Sequence, residues 1–214
     1  MPRIKPLPRA DAAASVAAIY DLVFGPDRDP AVSPGTATGT PGTFFTTWGY
    51  APEVLSVFQK YRPDPPVFDP GLRALAIMRT GYASQSHFVF SQNCKTARAA
   101  GVDEAKIKAV PFWTVSDVFT PEERAVLAFA DAHILEGGRV HDEVFAALRR
   151  TFSEEQVLAL AFTICFFAMH ARSSRALRLE YDDVPDRIVE IPAPDKPGVQ
   201  DWLDPKWAET VLSA

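Results

Sequence analysis

The sequence predicts an all-α protein, and three observations carry that prediction. Helix-capping signatures recur ahead of apolar runs, at Asp69–Pro70, Thr120–Pro121–Glu122–Glu123 and Ser153–Glu154–Glu155–Gln156. Each places a side-chain acceptor before a first turn, with proline at N1 or an acid or amide three residues on. Behind each signature, apolar residues return at helical spacing. Strand-like character is confined to Arg187–Ile191, which Pro192 ends. The expected architecture is a bundle of about six to eight helices with short connections.

Taken in order, residues 1–183 form the helical domain and 184–214 a tail with five prolines, Trp202 and Trp207. The length suits one domain with arms. Residues 1–10 read as an extended N-terminal arm. Asp11 caps a helix to Phe24 that buries Val16, Ile19, Tyr20 and Val23, and Gly25 ends it. Residues 26–42, rich in Gly, Pro, Thr and Ser, form a long loop. Phe44, Phe45, Trp48 and Tyr50 precede a helix that opens near Pro52. They suit either a core cluster or a pocket wall for a ring-shaped ligand. Arg62–Pro70 holds four prolines and is a linker.

Asp69 then caps a helix through Leu72, Leu75, Ala76 and Met78, which Gly81 breaks or bends. The chain is helical again from Ser84 to Ala100, closed by Gly101. Asp103 caps a short helix to Val110, and Thr120 opens one that runs to about Leu135. Gly137–Gly138 is a turn, a helix covers Asp142–Arg150, and Ser153 opens the longest helix, ending around Leu179.

Composition narrows the function. A net charge of −5 argues against nucleic acid or an anionic membrane as partner. Two cysteines, Cys94 and Cys165, are too few for a disulfide framework, so a cytoplasmic location is expected. Arg3 and Lys5 lead into Pro6 and Pro8 with no apolar segment behind them, so no signal peptide is expected. The longest apolar run, Val157–Ala171, contains His170 and falls short of the roughly 18 residues of a membrane span.

Chemistry-bearing side chains concentrate on the helix after Gly81. Ser86, Val89, Asn93 and Ala97 share one face, with Tyr82 a turn earlier; His87, Phe90, Ser91 and Cys94 share the next. Among the four histidines no pair has metal-binding spacing, so no metal is expected. His133 and His141 read as surface residues and His170 as a core or interface histidine. His87 is either the proton carrier, since an imidazole is the usual proton shuttle, or a structural residue. Ser86, Gln92 and Tyr82 offer hydrogen bonds either to a ligand or to the helix backbone. Cys94 is either a small buried hydrophobe or a lone oxidisable thiol. Arg172, with Arg175 and Arg178, is either a helix-end cation or a carboxylate clamp.

The frame Arg73–Leu75–Ala76–Ile77–Arg79, followed by Ala97–Arg98–Ala100–Gly101–Val102, resembles the carboxymuconolactone decarboxylase and alkylhydroperoxidase D superfamily. The likeness runs over roughly residues 43 to 180. It implies an alkylhydroperoxidase D-like helical bundle and self-association. The peroxidase branch carries a Glu, a C-x-x-C pair and a His on this stretch. Those positions fall here on Ala74, Ser86, Val89 and Asn93. The resemblance therefore implies a redox-neutral, metal-free, cofactor-free enzyme of decarboxylase or lyase type. Its substrate would be a small aromatic-derived acid or lactone. Catalysis would rest on His87, Tyr82 and Asn93, with Ser86, Gln92, Cys94, Trp48 and Arg172 binding substrate. Two alternatives stay open: a thiol peroxidase working through Cys94 alone, and a non-catalytic binding or scaffold protein.

Overall fold

The computed structural model describes residues 2–33, 42–60 and 67–179. Among them the regular structure is helical: α1 (Ala14–Phe24), α2 (Gly42–Trp48), α3 (Pro52–Lys60), α4 (Pro70–Ala83), α5 (His87–Ala99), α6 (Glu104–Ala109), α7 (Pro121–Ile134), α8 (Asp142–Arg149) and α9 (Glu154–Leu177). Short 3₁₀ turns cover Arg9–Asp11 and Val110–Val115. The expected strand at 187–191, the tail 184–214 and residues 34–41 of the expected loop 26–42 lie outside the described residues.

α4 is the axis of the bundle. Ala74 to Gly81 are buried without a break. An all-round apolar surface suits a helix enclosed on every side, and α5, α7 and α9 enclose it. Asp69 caps it through the Leu72 N–H at 2.9 Å, as the sequence predicts. Gly81 does not break the helix. It instead lets α5 close in, since a Cβ there would stand 2.7 Å from the Phe90 backbone nitrogen.

The break falls four residues later. Gln85 adopts φ 56°, its N–H bonds to Tyr82 O at 2.9 Å and the Ser86 N–H to Gly81 O at 2.9 Å. That pair of bonds is a Schellman closure, with glutamine where glycine is usual. Without glycine or asparagine at the left-handed position, the sequence carries no stop signal there. Ser86 then caps α5, accepting from the Val89 N–H at 3.3 Å. One residue closes α4 and opens α5.

The capping boxes at Thr120 and Ser153 form in full, and Asp103 caps α6 through the Ala105 N–H. Asp11 does not cap α1. It sits in the first 3₁₀ turn, and Ala13 precedes α1 without a side-chain bond. The arm is pinned rather than projecting: Leu7 N–H bonds to Thr46 O, Arg3 N–H to Leu177 O, and Tyr20 Oη to Leu7 O. The aromatic run expected to precede the Pro52 helix lies partly on α2, whose Phe44 and Phe45 rings meet edge to face at 5.2 Å.

By length and composition α9 is apolar enough to cross a bilayer, with a mean hydropathy of 1.5. This differs from the expectation of no such span, which rests on Val157–Ala171 as a shorter apolar run interrupted by His170. One face of α9, including Val157, Leu160, Ile164 and Ala171, is buried in the bundle.

Candidate functional site

Two chemistry-bearing side chains, Ser86 and His87, stand next to one another at the α4–α5 corner. Ser86 is buried and His87, the first residue of α5, is half-buried. The first turn of a helix presents N–H groups lacking intrahelical acceptors and carries the positive end of its dipole. Arg175 of α9 holds the corner from outside, its Nη1 donating to Ser84 O at 3.1 Å.

The structure divides the sequence-predicted residues among three places. Ser86 and His87 stand at the tip of α5. Tyr82 and Cys94 lie on one flank, with Phe90, Met78 and Leu127. The Tyr82 ring packs on Phe90 at 5.9 Å, under the Arg79 guanidinium at 5.3 Å. Trp48 lies on the other flank, in the cluster of Phe44, Phe88, Val89 and Phe167. The shared face drawn through Tyr82, Ser86 and Asn93 is therefore not continuous, since Tyr82 belongs to α4. Asn93 is buried and donates to Val89 O at 2.8 Å, leaving its carbonyl oxygen to act. Gln92 is half-buried one turn into α5. Arg172 lies on the exposed side of α9, apart from the corner that Arg175 reaches.

Cys94 is completely buried, and burial pushes its thiol up to about 12. Thiolate is the reactive form, so this sulfur is inert near neutral pH. Cys165 is exposed on α9. Among the described residues, no three His, Cys, Asp or Glu side chains gather closely enough to hold a metal ion.

Two features near the corner went unread in the sequence. The first is an ion pair between α4 and α7. Arg79 Nε and Nη2 donate to the two Asp131 oxygens at 2.5 and 3.0 Å, and Nη1 donates to Val110 O and Pro111 O. Trp113 Nε1 donates to Asp131 at 2.9 Å. The frame contains Arg79, yet nothing in sequence spacing links it to Asp131. The second is the packing around His170. Its ring lies 4.7 Å from Phe44, 5.3 Å from Phe88 and 6.0 Å from Phe167. Burial lowers its pKa to about 4, so it is neutral in the folded protein. The core reading of His170 agrees with this packing.

A helical bundle centred on a buried α4 and turning at a polar corner into α5 is the alkylhydroperoxidase D-like architecture. Residues 56–132 match the model of the carboxymuconolactone decarboxylase family, and the fold is one shared with alkylhydroperoxidase D-like helical proteins. A Bacillus subtilis protein of uncharacterised role, YdfG, is 30% identical over 94 residues, which is 43% of this chain and 63% of YdfG. The match thus spans less than two thirds of that relative. Among solved structures, the debrominase Bmp8 bound to 2,3,4-tribromopyrrole superposes with a TM-score of 0.61 at 22% identity, covering 85% of this chain and 92% of that one. A peroxidase-related protein from a Silicibacter species gives 0.63 at 14% identity, covering 85% and 94%. An alkylhydroperoxidase D core protein from Ralstonia eutropha gives 0.57 at 21%, covering 66% and 77%. At these identities the likeness is one of fold.

Proposed function

We propose that the chain is a redox-neutral enzyme of decarboxylase or lyase type, acting on a small aromatic-derived acid or lactone at the α4–α5 corner. The observation that carries this reading is the makeup of the α5 tip: Ser86, His87 and Val89 occupy it, and the one thiol on this helix, Cys94, is sealed inside the core. A peroxidase relay needs a reachable thiolate, whereas proton transfer needs an imidazole at the edge of a site. The debrominase relative takes a small substituted ring on the same fold, which supports a ring-sized ligand beside Phe44, Trp48 and Phe88.

In the proposed reaction the carboxylate carbon–carbon bond breaks and carbon dioxide leaves with the carboxyl carbon. The electron pair passes into the substrate's conjugated carbonyl, and the protonated His87 ring delivers a proton to the carbon left behind. The N-terminal turn of α5 stabilises the transient oxyanion, and the Asn93 carbonyl oxygen orients the substrate. This sequence needs no added electron carrier. We also infer a cytoplasmic, self-associating protein that meets neither nucleic acid nor membrane.

The test starts with a thermal-shift screen of aromatic carboxylates and lactones, followed by turnover of the hits. His87→Gln should lower the rate by roughly 10²–10⁴-fold and abolish one limb of the pH–rate profile, with the helical spectrum unchanged. Full activity in His87→Gln would move the chemistry elsewhere. A panel without a single hit would favour the non-catalytic reading.

A further inference from the structure

Arg175 meets the α4–α5 corner with most of its donors unused. The residue is half-buried, and its Nη1 donates to Ser84 O at 3.1 Å. A guanidinium carries several N–H donors in a fixed fork. No Asp or Glu among the described residues forms an ion pair with Arg175, whereas the buried Arg79 has Asp131. The Ser84 carbonyl fixes where the fork stands, two residues before Ser86 and three before His87. Hydroxyls at this junction lack partners too. Ser84 Oγ is buried and unbonded, and so is the Oγ of Ser174, a fully buried residue next to Arg175. Buried hydroxyls are normally hydrogen-bonded. A cation without a counter-ion, beside hydroxyls without partners, is a donor set that an oxyanion completes.

We propose that Arg175 is the residue that binds the substrate's carboxylate, with the Ser84 hydroxyl as a further donor. This rests on the acid-substrate reading above and names the side chain that selects acids over neutral rings. The sequence offers Arg172, Arg175 and Arg178 for the role. Arg172 lies on the exposed side of α9 and Arg178 is exposed at its C-cap; of the three, Arg175 bonds to the corner. The bond to Ser84 O holds the fork from one side, so less side-chain freedom is lost when a carboxylate docks. Two parallel N–H···O bonds then fix the plane of the carboxylate. The distance to His87 suits a single ring, because three residues of backbone span at most about 11 Å. The first turn of α5, a helix of 13 residues, adds the positive end of its dipole at the same corner. An amide presents no negative charge to this set and forfeits the charge-assisted bonds.

The experiment titrates benzoate, and separately benzamide, into the full chain by isothermal calorimetry at low salt. Benzoate should bind at least about tenfold more tightly than benzamide, the scale of one charge-assisted hydrogen bond. Arg175→Gln should weaken benzoate by about tenfold or more and leave benzamide unchanged. Arg175→Lys keeps the charge but loses the fork, so its loss should be smaller; it also guards against a folding defect in the glutamine variant. Arg172→Gln should bind benzoate as the unaltered chain does. Equal affinity for benzoate and benzamide in the unaltered chain would overturn the proposal. So would benzoate binding that survives Arg175→Gln, an equal loss in Arg172→Gln, or no benzoate bound at millimolar concentration by the folded chain. The two readings fail separately. Benzoate held through Arg175 by a chain that turns over no acid removes the reaction and keeps the site. Turnover of an acid that Arg175→Gln leaves untouched removes this site and keeps the reaction.

Discussion

Removing Asp131 should destabilise this protein more than any surface substitution. Arg79 is 9% and Asp131 16% exposed at their side chains. Asp131→Ala strips two N–H donors of the guanidinium of their acceptors and leaves the Trp113 indole N–H without its partner. The Arg79 contacts to Val110 O and Pro111 O remain, so the cation stays in place with its charge uncompensated. Breaking one side of a buried pair costs about 3–5 kcal/mol. With a urea slope near 2 kcal/mol per molar for a chain of this size, the unfolding midpoint should drop by about 1.5–2.5 M. Far-UV circular dichroism during urea titration measures it. The double variant Arg79→Met with Asp131→Asn removes both charges and keeps an acceptor for Trp113. It should be more stable than Asp131→Ala alone, because no buried charge is left unpaired. A loss below about 1 kcal/mol for Asp131→Ala, the scale of an exposed pair, would refute the reasoning. Strict additivity of the two sites would refute it as well.

Other consequences are open to measurement. Gly81→Ala should lower stability by about 1–3 kcal/mol, because the new Cβ meets the Phe90 backbone nitrogen at 2.7 Å; an unchanged melting temperature would contradict that close approach. Gln85→Gly should raise stability by up to about 1 kcal/mol, since it relieves a left-handed glutamine. His170 should make the fold acid-sensitive: its folded pKa of about 4 lies below the ordinary 6.5, so the unfolded chain takes up the proton first. Its contribution is complete above pH 6.5 and falls away as pH drops towards 4, by at most about 3 kcal/mol. His170→Leu should flatten stability against pH in that window, and an unchanged slope would count against the shielded ring. Light scattering of the full chain should give a dimer or larger, and a monomer at micromolar concentration would contradict self-association.

The sequence made the helices legible where their signals are local. Asp69, Asp103, Thr120 and Ser153 cap as they read, because a cap is a contact within three residues. It misplaced the α4–α5 break because the stop is a backbone closure on Gln85, a residue without turn character. The candidate site was legible as a stretch but not as an arrangement. Helical spacing drawn across the break put Tyr82 beside Ser86, whereas the corner sends the Tyr82 ring towards Phe90. Arg175 and Arg172 look alike in sequence, and only packing shows which one meets Ser84 O. Pairs such as Arg79 and Asp131, 52 residues apart, have no sequence signature at all.

The most direct test of the redox-neutral reading uses a cysteine-free chain. Cys94→Ala with Cys165→Ser removes both thiols and neither group assigned to proton transfer. It should turn over the substrate found in the panel at the wild-type rate, without oxygen or any thiol reductant, and incorporate one solvent deuterium at the decarboxylated carbon. A folded cysteine-free chain without activity, or a wild-type chain that turns over only when a thiol reductant is supplied, would contradict the account.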